Sequence, residues 1–288
     1  MKSIILLLIS TYYLSCDSYI NGNEEKHLCG KFEIEDLISD STCSTWFLEE
    51  YKNYDFKADT SLKTKLNEYK VEIYLGTWCG DSKQWVPRFI KVWNELGLER
   101  SNLQMCALYD KTIYGKSKKG PKGEEIGKSI FRVPTFIFYK NGIEMARIIE
   151  SPHKDLISDL TKIANNKILK TNYPASSYLI KLFENESLEN IKKHRNKIVN
   201  QIKNKLSDYS ELNSTATYFI DIDRLDIAME IFEINNNIFK NSIELLEDFA
   251  EKLEYYSNSK EIIDVYFRIL EIDSNNKNAK ERLDYLSK

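Results

Sequence analysis

Glycine and proline, the residues that most readily interrupt regular structure, number only ten and five in this chain of 288 residues, and after Tyr173 they are nearly absent. A sandwich or barrel built from many tight turns needs more of both, so the sequence is confined to helices joined to a small sheet. With 42% hydrophobic and 30% charged residues the chain buries a sizeable core, which excludes a disordered tail and a polytopic membrane protein. Its length accommodates two domains. The 41 basic and 44 acidic side chains nearly cancel, at a net charge of -3, and this balance argues against nucleic acid as a main partner.

The N-terminus places an uninterrupted apolar run, Ile4 to Ile9, behind the single charge of Lys2. That is the layout of a secretory signal, and it is too short for a permanent membrane span. The run leads into Leu14-Ser15-Cys16-Asp17, which resembles the lipobox of bacterial lipoproteins, although Tyr13 stands where that family usually has Leu. The resemblance implies cleavage and a lipid on Cys16, so that residues 1–16 are a signal peptide and the protein is exported to the cell envelope or periplasm. A membrane would be met only through this anchor. The plainer alternative is ordinary signal cleavage beside an incidental Cys16. Either way disulfides persist in that compartment.

Residues 17–29 read as a polar tether. Phe47, Tyr51 and Tyr54 then recur at i, i+4 and i+7, one stripe of a core-packing helix. Val71 to Leu75 reads as a buried strand ending at Gly76. Trp85, Phe89, Val92, Trp93 and Leu96 follow at helical spacing up to Gly97, a natural stop. A second strand spans Leu103 to Leu108. The Lys- and Gly-rich stretch from Lys111 to Gly127 reads as a solvated, helix-bearing loop, with Tyr114 its sole aromatic residue. Thr135 to Tyr139, the turn Asn141-Gly142 and Ile143 to Ile149 read as a hairpin, and a helix from about His153 to Lys167 closes this half. His27, His153 and His194 fit no ligand pattern and read as surface residues. The cysteines lack zinc spacing, so no metal is expected.

Several of these residues together carry a resemblance. Trp78-Cys79-Gly80, Lys83, Pro87, Val133-Pro134-Thr135 and Lys140-Asn141-Gly142 resemble a thioredoxin-family domain, here over residues 30–168. The Trp46 to Tyr54 helix and the stretch Gly76 to Ser82 are similar to a branch of envelope thioredoxin-like proteins in the Bacteroidetes. The resemblance implies an α/β fold, a cis Val133-Pro134 bond facing Cys79, and no cofactor. It implies Cys79 as nucleophile, with Trp78, Gly80, Asp81, Val133, Pro134 and Thr135 as the surface that meets substrate. Two positions depart from the family. Ser82 replaces the resolving cysteine, and Ile73 replaces the buried acid, so a two-cysteine cycle cannot run here.

The second half is helical in pattern and free of cysteine. Leu212, Thr215, Ala216, Phe219, Ala228 and Phe232 align with Leu246, Phe249, Ala250, Leu253, Ile262 and Tyr266 at an offset of 34 residues. Length and small-then-large pattern resemble tetratricopeptide repeats, here two degenerate units over 212–288 with a capping helix from Asn278 to Leu286. Residues 169–211 form a connector or divergent helix pair from Tyr178 to Leu206. A plain helical domain covering one edge of the first is the alternative, and peptide contact in a repeat groove is a further expectation.

Two functions compete. In the first, Cys79 is a monothiol nucleophile at a helix N-terminus that forms mixed disulfides with protein or low-molecular-weight thiol and disulfide partners, with Ser82 hydrogen-bonding its thiolate. Asp81 opposes by its charge. In the second, the fold is a redox-inactive binding module. Cys106, in a strand of a sheet covered on both faces, is expected to be inert. Cys29 and Cys43 are expected to pair, closing a loop of about 15 residues worth roughly 3 kcal/mol in the chain-entropy picture; in the rival reading both remain thiols. The N-terminal reading is checked directly: a lipid on Cys16 carries the mature protein into the detergent phase and Cys16→Ala releases it or blocks processing, whereas an unmodified N-terminus by intact mass refutes the anchor.

Overall fold

The computed structural model describes residues 17–112, 117–206, 208–256 and 260–287. Cys16, the signal segment and Tyr114 lie outside them. The first half is a six-stranded mixed sheet of β1 (Asp17–Ile20), β2 (Lys26–Phe32), β3 (Lys70–Leu75), β4 (Leu103–Ala107), β5 (Thr135–Lys140) and β6 (Ile143–Ile149), in the order β1-β2-β4-β3-β5-β6. Strands β3 and β4 run parallel and every other neighbour is antiparallel. The second half is all-α among the described residues. An α/β unit followed by a helical unit is therefore the architecture.

Alternation along the central strands sorts the sheet into two faces. Val71, Ile73 and Leu75 of β3, Met105 and Ala107 of β4, and Phe136 and Phe138 of β5 join one core with all five helices of this half. Those helices are α1 (Ile34–Ser39), α2 (Ser44–Asn53), α3 (Leu62–Leu66), α4 (Gly80–Glu95) and α5 (Leu156–Ala164). The expected stripe on α2 is realised, with Phe47 buried and Tyr51 and Tyr54 packed against the core. On α4, Phe89 stacks on Trp93 at 5.5 Å and meets Phe136 at 4.7 Å. Gly97 ends this helix region in the left-handed conformation, φ +65°. Asn141 and Gly142, both at positive φ, make the two-residue β5–β6 turn.

The other face departs from the reading of the sequence. Residues 108–134 contain no helix among the described residues; this long loop itself covers Tyr74, Cys106 and Ile137, with its own Leu108, Ile130 and Val133 packed on them. Toward its open end the face turns polar, where Lys128 pairs with Glu72 at 2.7 Å. Residues 17–29 are no tether but the edge of the sheet. Asn21 accepts the N–H groups of Asn23 and Glu25 through its side chain, both at 2.9 Å, closing a β1–β2 hairpin.

Cys29 and Cys43 both stand as thiols, so the expected disulfide is not formed. The reason is the pleat. Leu28 and Phe32 of β2 point into the core shared with Cys43, so Cys29 between them points to the opposite face of the sheet. His27, expected at the surface, is buried, whereas His153 and His194 are exposed.

The helical unit comprises α6 (Pro174–Asn185), α7 (Leu188–Lys193), α8 (Arg195–Ile202), α9 (Ser210–Asp221), α10 (Leu225–Ile238), α11 (Ile243–Tyr256), α12 (Lys260–Ile272) and α13 (Lys277–Leu286). Helix α9 packs on α10 and α11 on α12, and α9 also meets α11 and α6. Ala216, Ala228, Ala250 and Ile262, equivalent under the 34-residue offset, are all fully buried, and Phe232 stacks on Phe249 at 4.2 Å. The connector holds three helices rather than a pair. Phe249→Ala removes a whole ring from a filled site and should cost about 3–5 kcal/mol, read as a lower denaturation midpoint; a loss under 1 kcal/mol would mean that the stack does not hold these helices together.

Candidate functional site

Strand β3 ends at Leu75, and the chain reverses through Gly76-Thr77-Trp78 into α4. Gly76 is required by the turn itself. A Cβ there would lie 2.4 Å from Trp78 Cε2, so only glycine lets the indole fold back over the backbone. The indole Nε1 then donates to the Leu108 carbonyl at 2.9 Å, fixing Trp78 against the long loop. Cys79 is the N-cap of α4, with extended backbone at φ -86° and ψ 127°. Its partly exposed thiol donates to the Val133 carbonyl at 3.3 Å, and the Val133-Pro134 bond is cis. The structure thus brings Trp78, Cys79, Val133 and Pro134 together. Thr135 is buried in β5 with its hydroxyl donating to the Arg132 carbonyl at 2.7 Å, while Gly80 is exposed.

Ser82 is fully buried, and its Oγ accepts the Gly76 N–H at 3.2 Å. Burial pushes the Cys79 thiol up from its ordinary value; hydrogen bonds from the Ser82 N–H, the Ser82 hydroxyl and the Asp81 N–H pull it down, and the Asp81 charge pushes the same way as burial. The net direction is up. The helix N-terminus therefore does not win here, because the sulfur is desolvated faster than the helix donors compensate. Ile73 is fully buried in β3, leaving no acid beneath the site from that strand. Cys106 is buried in the apolar cluster under the long loop, against which Trp78 and Cys79 also pack, and burial raises its pKa strongly, with Glu124 and Glu125 adding to the effect.

Two further residues stand around the site that the sequence did not single out. Arg132, just before the cis bond, donates to Glu150 at 2.9 Å and lies over the Tyr173 ring at 4.6 Å. Its Nε is buried and unpaired among the described residues. Lys118, from the long loop, sits at φ +52° and is held by its N–H donating to the Tyr109 carbonyl at 2.8 Å while the Tyr109 N–H donates to Lys119 at 3.0 Å. Burial lowers its pKa, opposed by Asp221, with Arg132 and Lys252 adding to the lowering and Cys79 opposing it. Trp78, Lys118 and Arg132 share a cleft of about 590 Å³ with Ser214 and Thr217 of α9 and Lys252 of α11. No motif marks these positions, since they come from a loop and two helices that only folding brings together.

Behind Trp78, His27 bridges Asn21 Nδ2 at 3.1 Å and Thr77 Oγ1 at 3.2 Å. Among the described residues no three His, Cys, Asp or Glu side chains gather as a metal site, and no helix is long and apolar enough to cross a membrane. Comparison with protein-family models and with curated proteins returns no match.

Burial holds the His27 imidazole below its ordinary pKa, against the raising effect of the Asp110 and Glu25 carboxylates. A base with a depressed pKa stabilises the fold fully above its unfolded value, near 6.5, and loses that contribution as the pH falls from there through the folded value. The protein should therefore lose more stability between pH 7 and pH 5.5 than His27→Gln does. Equal losses in the two thermal unfolding series would remove His27 as a determinant.

Proposed function

We propose that the protein is a thioredoxin-like, monothiol exchange protein of the cell envelope, in which Cys79 forms mixed disulfides that it cannot itself resolve. One observation carries the reading. A partly exposed thiol on the N-cap residue of a helix donates to the carbonyl of a cis X-Pro bond, and the position three residues on is a buried serine. The strand order, with one parallel pair flanked by antiparallel neighbours, and the β5–β6 hairpin support the same family. The paired packing of α9 to α12 around equivalent buried alanines supports tetratricopeptide-like repeats, and export with a lipid on Cys16 completes the proposal.

The chemistry follows from the electrostatics. A thiol with a raised pKa holds little thiolate at neutral pH and attacks a disulfide slowly. The same property makes Cys79 a poor leaving group once it is in a mixed disulfide, because departing thiolates are expelled more slowly as their pKa rises. Ser82 cannot displace it, since a hydroxyl does not exchange with a disulfide. Adducts at Cys79 form slowly and persist until another thiol arrives.

The raised pKa is also the observation favouring the second reading, a binding module whose thiol is inert. The two readings separate on Cys79 itself. Its alkylation rate should keep climbing beyond about pH 8.5, where an ordinary thiol levels off, and its mixed disulfide should accumulate until external thiol is added. Insulin reduction by the natural sequence should be near background. Ser82→Cys should raise it, and Ile73→Asp on top should raise it further. If Cys79 forms no adduct with any disulfide at pH 8 and Cys79→Ser is without effect in the cell, the binding reading stands instead.

A further inference from the structure

The turn that delivers Cys79 is latched at each of its residues by a different part of the fold. Cys79 closes it by donating its N–H to the Gly76 carbonyl at 2.9 Å, and the Gly76 N–H donates to Ser82 Oγ at 3.2 Å. Trp78 is tied to the Leu108 carbonyl at 2.9 Å. Buried Thr77 accepts the Leu28 N–H through Oγ1 at 3.2 Å, and His27 Nδ1 stands at the same oxygen, also at 3.2 Å. Of these latches only the imidazole changes charge in the ordinary pH range. Its partners assign its tautomer. Asn21 Oδ1 accepts the N–H groups of Asn23 and Glu25, so the amide cannot turn over, and its Nδ2 faces His27 Nε2 as a donor at 3.1 Å. Nε2 is therefore the acceptor, the proton is on Nδ1, and the neutral ring donates to Thr77. A second proton enters at Nε2, where it meets the Asn21 amide donor to donor. The titratable and charged groups around the ring are Tyr19 of β1, with ring centroids 5.7 Å apart, Glu25 of the hairpin turn, Asp110 after β4 and Lys83 of α4. Asp110 already accepts from Asn21 at 3.2 Å and from Thr112 at 2.7 Å, whereas the largely exposed Glu25 carboxylate stands 3.5 Å from Nε2, placed to accept from the new N–H. Asn21, Glu25 and Trp78 all line the cleft beside Cys79, so this exchange reaches the site.

We propose that His27 is a positioning residue for Cys79, which holds the turn through Thr77 while neutral and releases it when protonated, as Nε2 exchanges Asn21 for Glu25. The inference rests on the reading of Cys79 as the reacting group. Reaching Glu25 turns the ring and carries Nδ1 away from Thr77. A turn held by one bond fewer lets Trp78 and Cys79 shift out of the apolar cluster on which they pack, and the sulfur regains water. The imidazolium adds a positive charge on the same side of the turn. Both effects favour the thiolate. Burial holds the imidazole below its ordinary pKa of 6.5, with Lys83 adding to the lowering and Asp110 and Glu25 opposing it. The neutral, latched form therefore prevails above that pH, and release belongs to the acid side of it.

The test follows Cys79 in the full chain with methyl methanethiosulfonate, an uncharged reagent that reacts with the thiolate, from about pH 5 to pH 9, and counts the product on the Cys79 peptide by mass spectrometry. A thiol that titrates alone loses about tenfold in rate for each pH unit below its pKa. The natural sequence should follow that line down to about pH 6.5 and at pH 5 should lie about fivefold above it, the worth of one hydrogen bond. Glu25→Gln, at a largely exposed side chain, removes a carboxylate that favours the charged ring and should move the departure to lower pH. His27→Asn keeps an N–H donor for Thr77 without a titrating group; its rate at pH 8 should stay within about twofold of the natural one, and its line should run straight to pH 5. His27→Leu, with no donor, should already be about fivefold faster at pH 8. A straight line for the natural sequence, or a departure that Glu25→Gln does not move, overturns the inference but leaves Cys79 reactive. No adduct on Cys79 at any pH overturns the nucleophile reading itself.

Discussion

The short segment from Ser129 to Pro134 is the joint on which both halves of the protein depend. Phe131 faces outward into the helical core, where it meets Tyr173 edge-on at 5.8 Å, together with Ile149 from the end of β6. Two residues later Val133 faces the opposite way, into the apolar cluster of the sheet, and its carbonyl receives the Cys79 thiol. Arg132 between them spans Glu150 and Tyr173. One stretch of backbone thus carries the docking of the helices and the geometry of the sulfur. A displacement of Phe131 would move the Val133 carbonyl, so the helical unit is coupled to the site through covalent geometry and packing.

At the sulfur, opposing effects decide the chemistry by their balance. The helix donors and the Ser82 hydroxyl favour the thiolate, whereas burial, the Asp81 charge and the hydrogen bond offered to Val133 all favour the thiol. Ser82 is central to that balance. Its Oγ is fixed by the Gly76 N–H, which leaves its own proton to turn toward the sulfur, so the hydroxyl serves as a donor in the place where a second sulfur would have been an exchange partner.

The parts of this arrangement that were legible in the sequence are those set by local pattern. Strand β3, the helix bounded by Cys79 and Gly97, the Asn141-Gly142 hairpin and the 34-residue offset all depend on residues close to one another along the chain. The β1–β2 hairpin carried the same kind of signal in Asn21-Gly22, but the polar residues around it masked the strands, since an edge strand with one wet face shows little hydrophobic contrast. The Cys29–Cys43 pairing failed for a different reason. Loop length speaks to the entropy of closure and says nothing about which face of a sheet a side chain takes. The cleft was not legible at all, because Lys118, Arg132 and Thr217 come together only through the docking of the two halves.

That docking also sets how firmly the cleft is built. Asn213 of α9 donates to Asp248 of α11 at 2.8 Å and accepts from Asn235 of α10 at 2.9 Å, while Asn235 also donates to the Tyr209 carbonyl at 2.9 Å. These are buried amides, so a slip of one helix against another would strand them without partners, at roughly 1–3 kcal/mol per group. The network therefore fixes the register of α9, and with it the positions of Thr217, on the cleft wall, and Asp221, which faces Lys118 one turn further on. Apolar contacts alone would tolerate sliding of the helices, because burial energy is nondirectional. Hydrogen-bonded amides do not, and Asn213, one turn from Thr217 and bonded to Asp248 of the cleft wall, sets the register of the α9 face that lines the cleft.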